Sequence, residues 1–270
     1  MTNSLLLSVI ALAALVPAAV APVIRGDVVA TSRDGTYWAL IGVAVAGPAL
    51  WIATQLGDAW RTGLAPALWL SIAVSLVLFA IISALSRSAW RLAPLLLGYL
   101  FLLGVLATIW QHAPERPLST NPPAAWLQAH ILVSISAYGL LTLAAVAGGA
   151  VFLQERALKK KRPNAFTHQL PSMAEGERLQ VQLLMASEIV LAVALITGMT
   201  IEWLERRRLF VVDHKTVLSV ATFLVIGLLL WLHRRGGLSS RRGARYVLLA
   251  YLLLTLAYPG VKFVTDVLIG

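Results

Sequence analysis

A chain of 270 residues in which 59% are apolar and only 13% charged carries about half the charge of a soluble domain, where roughly 25% is usual. With a mean hydropathy of +0.81, this excludes a soluble globular fold and indicates a single integral membrane domain over residues 1–270. The net charge of +10 is no sign of nucleic-acid binding, because half of the basic residues sit in two short loops where they orient the chain. The sequence contains no cysteine, which removes disulfides, CxxC pairs and thiolate ligands and leaves His, Met, Tyr or carboxylate for any metal or haem iron.

In chain order, the first apolar run is Leu5 to Ile24. It reads as a true span and not a signal peptide, because the basic n-region of such a peptide is missing. Spans two to four are expected at about Tyr37–Gln55, Leu64–Leu85 and Leu92–Trp110. A polar loop, His112 to Pro123, then breaks the chain with a Pro-rich run. Span five is expected at about Trp126–Leu153, followed by the longest loop, Arg156 to Gln182, with Lys159, Lys160, Lys161 and Arg162 in succession. Spans six to eight follow at about Leu183–Trp203, Lys215–Leu232 and Tyr246–Leu268. The expected fold is all-α: a polytopic membrane helix bundle of about eight transmembrane helices.

Lys and Arg in the loops orient it. The loops after spans one, three, five and seven carry 15 of them, and the opposite side carries seven. The richer side is therefore cytoplasmic and both termini are expected to be periplasmic. Trp60, Trp110, Trp126 and Trp203 then fall together at the outer interface, as an aromatic belt should.

Of five histidines, three are candidates. His130, near the outer end of span five, heads a stripe with Ser134, Tyr138 and Thr142 at four-residue steps on one helix face. Such a stripe should face the bundle interior, either for helix–helix hydrogen bonding or as a ligand atop a pocket. His214 starts span seven with Asp213 as its expected N-cap. The helix dipole there disfavours imidazolium while Asp213 favours it, so His214 reads as an interfacial residue or a neutral ligand. His130 and His214 share a depth and are a plausible axial pair for haem iron. His233 ends the same span about 28 Å from His214 at 1.5 Å per residue. It reads as part of a cationic cap with Arg234 and Arg235, or as a second ligand on the inner face with Arg241 and Arg242 as counter-charges. His112 and His168 lie in loops and read as solvated. Glu188 is the carboxylate clearly inside a span, either paired with a basic residue or functional. Gly148 and Gly149 suggest close helix packing. No P-loop, HExxH or Gly-rich dinucleotide fingerprint is present.

The segment Trp126-Leu-Gln-Ala-His130 through Ser134 and Tyr138, then Asp213-His214-Lys215-Thr216, then His233 with a downstream Gly and Arg pair, resembles the cytochrome c assembly membrane family, and within it the HemX- and YpjD-type branch. The resemblance is strongest over residues 126–270. It implies a bacterial inner-membrane protein without catalytic activity of its own, handling haem in or near cytochrome c biogenesis, with partners in that process and none among nucleic acids. His130 falls at the family's outward-facing haem ligand and His233 at its ligand near the inner face. Two departures stand out. The Trp-rich loop before the Asp is replaced here by Glu-Trp-Leu-Glu-Arg-Arg-Arg-Leu-Phe-Val-Val, and no second outward histidine follows the last span. The same branch leaves two further roles open: a regulatory membrane protein of tetrapyrrole synthesis using the Arg156–Gln182 loop as its contact surface, and an accessory of cation efflux, which predicts intramembrane acids such as Glu188.

Overall fold

The computed structural model describes residues 2–24, 33–55, 61–112, 116–117, 124–161, 163–207, 213–236, 240–264 and 267. Its helices are α1 (Thr2–Ile24), α2 (Gly35–Gln55), α3 (Leu64–Leu85), α4 (Ala93–Ile109), α5 (Ala124–Lys159), the short α6 (Ala165–Gln169), α7 (Met173–Arg206), α8 (His214–Arg234) and α9 (Ser240–Thr255). Beyond Thr255 the last helix passes through a π-helical turn, Leu256–Gly260, with Pro259 inside it, and continues through Val261–Phe263. Two-residue strands Arg61–Thr62 and Arg116–Pro117 pair antiparallel beside the bundle. The rest of the expected loop His112 to Pro123 lies largely outside the described residues.

The protein is all-α and polytopic. Among the described residues, seven helices are long and apolar enough to cross a membrane, and α1 adds a shorter apolar stretch, Leu5–Ala21. Helices form here because every backbone N–H and C=O must be satisfied within the segment once water is gone. The first four helices pack as one group, α1 against α2 and α4, and α3 against α2 and α4. Trp51 and Trp69 stack in its centre with ring centroids 5.7 Å apart, and Trp51 Nε1 donates to Ser8 Oγ at 2.9 Å. Gly47 lets α1 and α2 touch: a Cβ there would lie 2.6 Å from Ala14 Cβ. Close approach through small residues is how bilayer helices gain contact without a hydrophobic driving force.

The second group is built on the α5–α7 pair, to which α9 adds through α5 and α8 through both α7 and α9. Helix α3 joins the groups by packing on α5. Both α5 and α7 overrun the expected spans into what reads from sequence as one long loop. Local chemistry explains it. Asn164 and Thr167 form a capping box on α6, and Ser172 and Glu175 form another on α7, satisfying amides that would otherwise be orphaned. Gln154 Nε2 braces the corner by donating to the Thr167 carbonyl at 2.8 Å. Of the two glycines expected to mediate packing in α5, Gly148 does so, with Gln180 against it, whereas Gly149 meets nothing within 4 Å.

Candidate functional site

Between α5, α7, α8 and the π-turn of the last helix lies a cavity of about 450 Å³. Its wall on α5 carries His130, Ser134 and Tyr138, the polar stripe read from the sequence; Thr142, one step further, is buried and donates from Oγ1 to the Tyr138 carbonyl at 2.8 Å. Apolar walls come from residues such as Ile135, Leu191, Leu195 and Leu254. Charged groups on the wall are Glu202, near the end of α7, with Asp213 and Lys215 at the start of α8. The cavity is thus greasy inside with charge gathered where helices end.

His130 is held in one orientation. Its Nδ1 lies 2.9 Å from Thr197 Oγ1 on α7. That hydroxyl also lies within hydrogen-bond reach of two backbone carbonyls, Val193 O at 2.9 Å and Ala194 O at 3.0 Å, which can only accept its proton. With that proton given to either carbonyl, the imidazole donates at Nδ1 and Nε2 keeps its lone pair. A histidine whose other nitrogen is fixed by such a partner is the form that binds metals. The ring also rests on Gly198, where a Cβ would come within 3.0 Å of His130 Cε1.

Below His130 the polar contacts continue out of the cavity. Tyr138 Oη is 2.9 Å from Tyr251 Oη on α9 and 3.5 Å from Thr255 Oγ1, and Tyr251 Oη is hydrogen-bonded to Tyr99 Oη of α4. Three phenols, Tyr138 buried and the other two partly so, satisfy one another in a membrane-spanning bundle, where an unpaired hydroxyl is costly. Neither Tyr99 nor Tyr251 was among the sequence candidates. Tyr258, on the π-turn, also lines the cavity.

The other expected residues are placed elsewhere. Asp213 caps α8 as anticipated, its Oδ1 accepting from the Thr216 amide at 2.7 Å. Partial burial alone pushes the Asp213 carboxyl up, but its bonds to the Thr216 backbone and side chain and the neighbouring Lys215 and His214 charges outweigh this and hold it below the ordinary carboxylate value. His214 is exposed and does not line the cavity, although its neighbours Asp213 and Lys215 do. His233 is exposed at the far end of α8 beside Arg234 and Arg235, the latter stacked over Trp231 at 4.1 Å. The side chains of Arg241 and Arg242 lie outside the described residues. His168 and His112 are exposed, His168 within α6. Glu188 faces Gly227 of α8, and its Oε2 finds no hydrogen-bond partner among the described residues.

The residues fit a haem better than a bare metal ion. Among the described residues no group of three or more His, Asp or Glu is placed to enclose an ion. A porphyrin brings four nitrogens of its own and asks the protein for one or two axial ligands, which a single ligand-ready imidazole on an apolar cavity wall can begin to supply.

Fold and cavity together define a polytopic membrane protein with a histidine-bearing chamber near one end of its bundle. The chain belongs to the cytochrome c assembly protein family, whose match spans residues 60–269 and so takes in α3 and α4 as well as the segments in which the resemblance was read. It is 52% identical, over the whole length of both chains, to an uncharacterized 28.8 kDa protein of Azospirillum brasilense. It is 26% identical to the inner membrane protein YpjD of Escherichia coli, covering 72% of this chain and 73% of that one. It is also 23% identical to protein HemX of Brevibacillus brevis over 62% and 61% of the two chains. No solved structure matches. The protein is a multi-pass protein of the bacterial inner membrane, in a family tied to cytochrome c assembly.

Proposed function

We propose that this protein binds haem in the cavity, through Nε2 of His130, as a non-catalytic accessory of cytochrome c biogenesis. The observation that carries the reading is the His130–Thr197 contact, which with Nδ1 as donor turns the free Nε2 lone pair to a largely apolar chamber. Haem supplies the iron and its redox chemistry when bound. The chain's own residues then divide the remaining work. His130 binds, Thr197 and Gly198 orient it, and the leucine and isoleucine walls exclude water. Lys215, on the cavity wall, would hold the carboxylates of an amphipathic macrocycle. With the Lys and Arg bias orienting the bundle, the His130 end is periplasmic and both termini lie on that side. Of the three histidines singled out in the sequence, only His130 enters this reading; His214 and His233 are left as exposed residues at the two ends of α8.

The test is an absorption spectrum of the protein purified in mild detergent, with added haem where little co-purifies. A Soret band that disappears in His130→Ala while the protein stays folded supports the reading. A colourless wild type that takes up no haem removes it.

A second reading has one observation in its favour. The segment joining α5 to α7 is ordered by two capping boxes and the Gln154 brace, more structure than a passive connection needs. It suits a contact surface for a soluble partner in tetrapyrrole synthesis, and binding that survives His130→Ala but not disruption of residues 156–172 would single it out.

A further inference from the structure

Tyr138 and Tyr251 are joined through their hydroxyls, which sets α5 and α9 in register. Successive spans alternate in direction, so α9 runs antiparallel to α5. His130 lies eight residues before Tyr138, about 12 Å along α5. Tyr258 lies seven residues after Tyr251, about 10 Å along the last helix in the same direction. The two side chains therefore stand at one depth, on opposing helices, and both line the same cavity. The π-turn between Tyr251 and Tyr258 shifts the helical phase, and Tyr258 lines the cavity shared with His130 while Tyr251 does not.

The backbone marks the position too. Tyr258 sits in the π-helical turn Leu256–Gly260, next to Pro259. Proline cannot donate to the helix ladder and its ring displaces the preceding turn, and single π-turns recur at functional sites. Among the described residues, Tyr138, Tyr251 and Tyr99 occupy one another's hydroxyls while the Tyr258 hydroxyl takes no part in that chain of bonds.

We propose that Tyr258 is the second protein ligand of this site, its phenol oxygen approaching from the last helix the ferric iron that His130 holds from α5. The proposal rests on the haem-binding reading above. A phenolate is an established axial donor to haem iron, and a bound cation reverses the usual reluctance of a buried group to ionise. Binding forms one iron–oxygen bond and breaks the phenol O–H bond. The proton is released to solvent, and no electron moves. An anionic oxygen stabilises the ferric over the ferrous state, so the site retains oxidised haem and loosens its hold when that haem is reduced.

The experiment titrates ferric protoporphyrin IX into the full-length protein in mild detergent, comparing wild type, Tyr258→Phe, Tyr258→His and His130→Ala. Wild type should show resonance Raman bands of an iron-bound phenolate. Tyr258→Phe should still bind but lose those bands, weaken by at least about tenfold and shift its midpoint potential upward. Tyr258→His should give the spectrum of iron between two imidazoles, which guards against a Phe variant that merely fails to fold. Identical spectra and potentials for wild type and Tyr258→Phe overturn the assignment while leaving haem binding intact. If wild type binds no ferric protoporphyrin at all, the functional reading falls and this one with it.

Discussion

Thr197 Oγ1 on α7 and His130 Nδ1 on α5 lie 2.9 Å apart, and with the hydroxyl proton given to the Val193 or Ala194 carbonyl the contact leaves Nε2 for a ligand. Thr197→Val keeps the shape and removes the acceptor. Haem affinity should fall by about 10- to 100-fold, with Thr197→Ser near wild type and His130→Ala without measurable binding. Haem titration followed at the Soret band separates the three.

Gly198 and Gly149 make a matched pair. Gly198→Ala places a Cβ 3.0 Å from His130 Cε1, so the ring must shift and haem binding should weaken although the fold persists. Gly149→Ala meets nothing within 4 Å and removes a flexible residue from a helix interior, so it should leave binding unchanged and raise stability by about 0.5–1 kcal/mol. Thermal unfolding in detergent alongside the titration reads both; equal losses of binding would contradict the placement of Gly198.

Tyr251 is the middle of the three-phenol chain. Tyr251→Phe leaves the Tyr99 hydroxyl without this partner and Tyr138 with only its 3.5 Å contact to Thr255 Oγ1, at a cost of about 1–3 kcal/mol. The further change Tyr99→Phe in that background removes one of the stranded groups and should recover part of the loss. Strict additivity of the two substitutions would show that the hydroxyls do not act together.

The Asp213 cap has a defined pH response. Its carboxyl is held below the ordinary value in the folded protein, so its stabilisation is fully present above the unfolded aspartate pKa of about 3.9 and is lost as pH falls through the lower folded value. Protection of the first-turn amides of α8, relative to their intrinsic exchange rate, should therefore be high at neutral pH and fall only in strong acid. Asp213→Asn preserves the cap and abolishes this dependence, while Asp213→Ala costs about 1 kcal/mol at neutral pH.

Topology is tested by reporter fusions. Alkaline phosphatase joined within residues 156–182 should be inactive, and a fusion at the C-terminus active. The reverse pattern would place His130 and the cavity on the cytoplasmic side and remove the periplasmic assignment.

The sequence by itself determined the class, the helical architecture and one wall of the site. Hydropathy and helical period are local properties, so the spans, the interior-facing stripe from His130 to Thr142 and the Asp213 cap all follow from neighbours within a few residues. Helix ends were harder, because whether α5 and α7 stop at the membrane edge depends on Gln154 reaching the carbonyls of residues 167–171 and not on hydropathy. What only the tertiary structure decided is which residues share a helix interface. Shared depth suggested His214 as the partner of His130, but depth says nothing of rotation about the α8 axis, and that rotation leaves Asp213 and Lys215 on the cavity wall and His214 exposed. Thr197, Gly198, Tyr251 and Tyr258 carry no motif. They acquire meaning because α7 and α9 both pack on α5, a long-range choice made by the fit of whole helix faces and by the need to pair every hydroxyl that the bilayer interior leaves without water.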